Sequence, residues 1–83
     1  MEVPMDIIKC VRRRIVFHVS KNADCPLDGG STYRGILKKV LWKGGDIVLV
    51  MDDVIYHYGD GSCPYVGVLR LKLADVDWWK EWS

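Results

Sequence analysis

Two apolar runs joined by a four-residue turn dominate the hydrophobic pattern. The first spans Tyr33 to Trp42 and the second is Ile47-Val48-Leu49-Val50-Met51, apolar at every position, with Lys43-Gly44-Gly45-Asp46 between them. A short continuous apolar run fits a strand buried on both faces or a piece of buried helix. Its β-branched content and the preceding Gly-Gly favour the strand. The pattern therefore predicts a β-hairpin whose turn needs the positive φ that glycine supplies. Gly35, early in the first run, marks a place where a strand bends or another backbone comes close.

Around the hairpin the pattern is shorter-ranged. Residues 4–12 predict an opening helix: Pro4 suits the first helical position, Asp6 complements the positive end of the helix dipole, and Met5, Ile7, Ile8 and Val11 form an apolar face. About two turns cannot hold alone in water, so this helix must dock. A strand follows over 14–19, with Ile15, Phe17 and Val19 on one face. Ser20 to Ser31 is turn chemistry throughout, a longer loop than a tight hairpin needs and a place where partners often bind. The remaining strands are expected over 32–42, 47–58, 65–72 and 73–79, with Gly59 to Pro64 as a further turn. One short helix followed by five short strands predicts a mainly β single domain over 1–83, a small closed or nearly closed, strongly bent antiparallel barrel.

Composition narrows the class. With 83 residues, 49% hydrophobic and 28% charged, the chain is globular with room for one small core. A domain this small gains stability from self-association. No apolar run is long enough to span a membrane, and an apolar leader is not visible, so the expected address is cytoplasmic. The net charge of +1 argues against an indiscriminately basic binder but leaves the clusters Arg12-Arg13-Arg14 and Lys38-Lys39. The arginines fit either a solvated helix end or phosphate contact. Cys10, Cys25 and Cys63 are odd in number, with no Cys-x-x-Cys pair, and read as free thiols.

Candidate chemistry is sparse. Asp52 and Asp53 are strand neighbours that point to opposite faces, so they converge only across a bulge; a solvated bend is the plainer reading. Cys25 or Cys63 with His18 or His57 lacks any local signature of a thiol–imidazole pair. A zinc site from Cys10, Cys25, Cys63 and His57 lacks paired ligands. No enzyme, cofactor or metal is expected. Trp42, Tyr33 and His18 are candidate stacking side chains, with core packing expected for at least two of them. Of the terminal Trp78, Trp79 and Trp82, one is expected on the barrel and another on a neighbouring subunit.

The order of these pieces resembles the Sm-like family (Sm, LSm and bacterial Hfq proteins). Its opening "P-L-D-hydrophobic-hydrophobic" helix and basic pair are matched by Pro4-Met5-Asp6-Ile7-Ile8 and Arg12-Arg13-Arg14. Its first motif, "Y-R-G-x-L" before a turn and an apolar strand, is matched by Tyr33-Arg34-Gly35-Ile36-Leu37 and Ile47-Val48-Leu49. Its second, "I-R-G-D-N-V", is matched by Leu71-Lys72-Leu73-Ala74-Asp75-Val76. The resemblance implies a bent five-stranded barrel that closes a ring of roughly five to eight copies, a heterologous contact whose rotation closes. The interface it implies runs between neighbours' last two strands, through Tyr65, Val66, Val68, Leu69, Ala74, Val76 and Trp78.

The resemblance also implies a single-stranded RNA site, here at Trp42, Gly45, Asp46, Lys72, Leu73 and Arg34. Asp46 stands where the family places a base-reading asparagine, Lys72 where it has a stacking arginine, and Leu73 where it has glycine. An ionised aspartate donates no hydrogen bond, and lysine lacks a planar stacking face. The implied function is a ring-forming RNA chaperone or RNA-processing scaffold with a non-standard base pocket. The alternatives are a homo-oligomeric assembly module acting through protein contacts, and a monomeric SH3-like barrel binding a peptide.

Overall fold

The Lys43–Asp46 turn forms as its glycines require. Gly44 has φ 56° and Gly45 φ 84°, Lys43 pairs with Asp46, and Trp42 pairs with Ile47. Both central residues at positive φ give the two-residue hairpin loop whose twist matches the flanking strands. The computed structural model describes residues 5–58 and 67–82. In order these form α1 (Met5–Ile8), β1 (Arg14–Val19), β2 (Thr32–Lys43), β3 (Asp46–Tyr56), β4 (Leu69–Lys72), a 3-10 turn (Leu73–Asp75) and β5 (Val76–Glu81).

The strands form one antiparallel sheet in the order β4-β3-β2-β1-β5. It cannot lie flat. β4 ends at Lys72 and β5 begins at Val76, and four residues reach at most ~14 Å. Across a flat sheet those two edge strands would stand four strand spacings apart, ~19 Å. Register shifts at His18/Val19, Arg34/Ile36 and Leu37/Lys39 supply local bends. Gly35 lies where the second of these falls: a Cβ there would stand 3.0 Å from the Asp52 carbonyl and 3.1 Å from Val54 Cγ2. The close approach expected at Gly35 is thus made by β3.

The sheet is nevertheless open. Among the described residues β4 and β5 do not pair with one another, so of the closed or nearly closed barrel expected, the structure shows five antiparallel strands in one sheet that does not close. Its concave side holds one core, with Ile15, Phe17 and Val19 from β1, Tyr33 and Leu37 from β2, Ile47, Leu49, Met51 and Val54 from β3, and Leu69 and Leu71 from β4. Trp79 and Val76 of β5 pack against it from the other edge.

Three expectations change at the ends of elements. Among the described residues the opening helix is Met5–Ile8, and residues 9–13 are turns. The N–H groups of Cys10, Val11 and Arg13 donate to the carbonyls of Ile7, Ile8 and Cys10, each three residues back, because two turns of helix are too short to sustain the longer spacing. Arg12 then takes a left-handed φ of 72° to enter β1. Ile7 and Cys10 dock on the core while Ile8 stays exposed, so the apolar face is narrower than the sequence pattern suggests. The strand expected over 73–79 starts with the 3-10 turn, which carries the chain across the end of the sheet, and becomes a strand only at Val76. The strand expected over 65–72 is β4 from Leu69; Gly67 and Val68 are not strand, and residues 65 and 66 lie outside the described residues.

The long loop 20–31 closes one end of the core. Leu27 is buried, with Ala23 and Cys25 packed around the cluster. The Tyr33 hydroxyl accepts from the Asp28 N–H at 2.9 Å and donates to the Asp28 carbonyl at 3.2 Å. Val19 N–H donates to Ser31 and Gly30 N–H to Val19, so the loop re-enters the sheet beside its own exit. Gly29 lies against that exit: a Cβ would be 2.7 Å from the carbonyl oxygens of both Ser20 and Lys21. Gly29→Ala is expected to lower stability by about 1–3 kcal/mol, as overpacking against backbone does, seen as a lower urea midpoint with an unchanged slope.

Candidate nucleic-acid interface

Because neighbouring residues of a strand face opposite ways, each inward core position fixes what its neighbours present outward. On β3 the inward set Ile47, Leu49 and Met51 leaves Asp46, Val48, Val50 and Asp52 outward. The registers Lys39↔Val50↔Arg70 and Leu41↔Val48↔Lys72 place two rows of partners beside them, with Lys43 opposite Asp46. The outward face of β2–β3–β4 is therefore an apolar floor of Val48, Val50 and Leu41 bordered by Lys39, Lys43, Arg70 and Lys72. All four cations are exposed. The two acids of this face stand at its ends. Asp46 Oδ2 lies 3.7 Å from Lys72 Nζ, and Asp52 Oδ1 accepts from the Asp53 N–H at 2.9 Å.

The residues implied by the Sm-like resemblance divide into two groups. Gly45, Asp46 and Leu73, with Ile47 and Ala74, line a cavity of about 200 Å³ where the hairpin turn meets the 3-10 turn, and Lys72 reaches it through the ion pair with Asp46. Trp42, 51% exposed, lies farther along the hairpin and lines a groove of about 410 Å³ with Ile8, Val11, Lys38, Lys39, Val40 and Leu41. Arg34 is not among them. It sits near the other end of β2, paired with Val16 and Ile55, with its guanidinium 5.5 Å from the Trp82 ring centroid.

Of the other stacking candidates, Tyr33 is fully buried between Phe17 and Tyr56, at ring separations of 5.9 and 5.0 Å. His18 is half-buried: its Nδ1 lies 2.9 Å from Thr32 Oγ1 and its ring lies parallel to Trp78 at 5.9 Å. Among the implied interface positions, Leu69 is buried in the core and Val76 packs against it, so at an edge they could offer only backbone. Val68, Ala74 and Trp78 are exposed. Tyr65 and Val66 lie outside the described residues.

The arginines do not act as a unit. Arg13 is tied across the sheet to Glu81 at 2.8 Å, while Arg14 lines a cavity with Arg34, Ile36, Asp53 and Ile55. Asp53 takes φ 53° at an exposed bulge, the solvated bend expected for the aspartate pair. Burial raises the pKa of the Cys10 thiol, which packs in the core, and the Cys25 thiol points at the Leu27 carbonyl. No group of three or more His, Cys, Asp or Glu side chains among the described residues could hold a metal ion. No helix among them is long and apolar enough to cross a membrane.

The loop clasp carries a pH dependence. Tyr56 donates to Asp28 Oδ2 at 2.8 Å, and this bond, followed by the contact with Tyr33, pushes its pKa up to about 12. The folded value lies above the ordinary value of about 10. The clasp's contribution is thus complete below about pH 10 and lost as pH rises through about 12. Urea midpoints followed across that window should fall in the parent chain, with a smaller fall in Tyr56→Phe.

The chain matches no protein-family model, no curated protein and no solved structure.

Proposed function

We propose that this chain is a single-stranded RNA-binding module of the Sm-like kind that completes its sheet by joining copies of itself in a ring. The observation that carries the RNA reading is the outward face of β2–β3–β4, where Lys39 and Arg70 flank Val50 in one row and Lys72 stands in the next. Trp42, opposite the inward Ile47, faces the other side of the sheet, in a groove that Lys38 and Lys39 also line. Cations along a shallow apolar floor follow a phosphate backbone without selecting the identity of its bases. The ring reading draws on the two sheet edges, β4 and β5, which have a strand neighbour on one side only among the described residues. Joining one copy's β4 to the next copy's β5 satisfies both edges and adds buried area to a small core.

One observation favours a second reading, an assembly module without RNA. Asp46 holds Lys72 at 3.7 Å in the position where the resemblance places a base pocket, which neutralises one cation and repels phosphate. Two measurements on the purified chain separate the readings: its mass by light scattering, and titration of labelled oligo-U and oligo-A at low and high salt. The RNA reading requires a ring that binds both oligomers and releases them as salt rises. A ring indifferent to both selects the assembly module, and a monomer removes both readings.

A further inference from the structure

The other half of the outward face, over β5, β1 and the start of β2, has a different composition. Along β5 the core takes Trp79, which leaves Trp78 and Lys80 outward, and Trp82 continues the ladder by donating its N–H to the Arg14 carbonyl at 2.9 Å. The outward side of β5 therefore presents indole, ammonium and indole in alternation. Trp78 and Trp82 are 43% and 39% exposed and about 13 Å apart along the strand.

Each indole is braced. Trp78 lies parallel to His18, which Thr32 holds from one nitrogen while Asp77 stands 3.8 Å from the other. Trp82 has the Arg34 guanidinium over its ring and His57 against it edge-on at 5.0 Å. Between them Val16 is fully buried yet belongs to the outward side, its strand partners being Arg34 and Lys80. Both tryptophans nevertheless keep much of their surface exposed, an apolar patch on a small domain.

We infer that this face is a second RNA contact, a base-stacking platform on Trp78 and Trp82, distinct from the basic strip on β2–β3–β4. The inference rests on the RNA reading above and assigns its bases a site. Charge selects the occupant. Arg14, Arg34 and Lys80 point outward around the two indoles, while the acids nearby are Asp77, beside His18, Asp53, in the cavity shared with Arg14 and Arg34, and Glu81, which alternation turns to the other face and Arg13 neutralises. Aromatic faces interleaved with cations match a strand whose bases are unpaired and whose phosphates are regularly spaced. Arg34, its guanidinium 5.5 Å from the Trp82 ring centroid, adds a planar cation to the same surface.

The test uses the full chain, with oligo-U, oligo-A and an abasic oligomer of equal length. Binding is followed by tryptophan quenching and by anisotropy of the labelled strand. The parent should bind base-bearing strands more tightly than the abasic one and be quenched only by the former. Trp78→Ala with Trp82→Ala should weaken oligo-U and oligo-A by about tenfold or more, leave abasic binding and the salt slope unchanged, and leave mass in solution unchanged. Trp78→Phe with Trp82→Phe should restore most of the affinity, which separates stacking from misfolding. Parent-like affinity of the double alanine variant for base-bearing strands overturns this inference alone. So does a change of its oligomeric mass without an effect on RNA, which would make the face a contact between copies. A parent that binds no oligomer overturns this inference and the RNA reading together.

Discussion

Tyr33→Ala is expected to remove most or all of the domain's stability. The ring is fully buried between Phe17 and Tyr56, and its hydroxyl is the point at which the 20–31 loop is fastened, through both backbone groups of Asp28. Removing a buried aromatic costs about 3–5 kcal/mol, and the orphaned Asp28 N–H adds about 1–3 kcal/mol. A domain of this length has roughly 4–12 kcal/mol in total. Tyr33→Phe keeps the ring and isolates the hydroxyl, so it should cost about 1–2 kcal/mol and still fold. Urea denaturation followed by circular dichroism checks both. A Tyr33→Ala chain that unfolds like the parent would show that the loop and core are not joined through this residue.

The second large effect is on binding. Lys39→Glu with Arg70→Glu reverses the two cations that flank Val50 without touching the Asp46–Lys72 pair. Both side chains are exposed, so the fold should tolerate the change. Affinity for oligo-U and oligo-A should fall together, roughly ten- to a hundredfold at low salt, because phosphate contacts carry no base preference. The slope of log affinity against log salt should shrink by about 0.7 for each phosphate that is no longer neutralised on a single strand. An effect on one oligomer and not the other would assign these residues to base recognition instead.

Which parts of the structure can be read in the sequence follows from the range of the interactions that set them. The hairpin turn is local: Gly-Gly between two apolar runs leaves few alternatives, and Gly44 and Gly45 both take positive φ. Strand β1 is bounded by Arg14 and Val19 in both readings because its apolar alternation is short and unbroken. The charged strip is not legible in this way. Inward Tyr33, Gly35 and Leu37 imply that Lys39 points inward as well, yet the register shift between Leu37 and Lys39 turns it outward beside Val50. A single inserted residue in a ladder reverses all that follows, and nothing in the string Leu37-Lys38-Lys39 announces it.

The braced tryptophans fail for another reason. Alternation separates Trp79 from Trp78, but Arg34 and His57 reach Trp82 from β2 and from beyond the end of β3. Only the order of the sheet brings them together. The opening helix shows the converse limit. Its composition suits a helix, but a segment of two turns is governed by what it docks on: Ile7 and Cys10 enter the core, Val11 packs partly against it, and Ile8 stays exposed.

The proposed RNA path runs along the outward face of β2–β3–β4. Backbone amide chemical shifts recorded while oligo-U is added to the isotope-labelled chain test this residue by residue. The largest changes should fall on Lys39, Val50, Arg70 and Lys72, while the clasp around Leu27 and Asp28 stays still. Changes centred on that clasp, with the four strip residues silent, would contradict it.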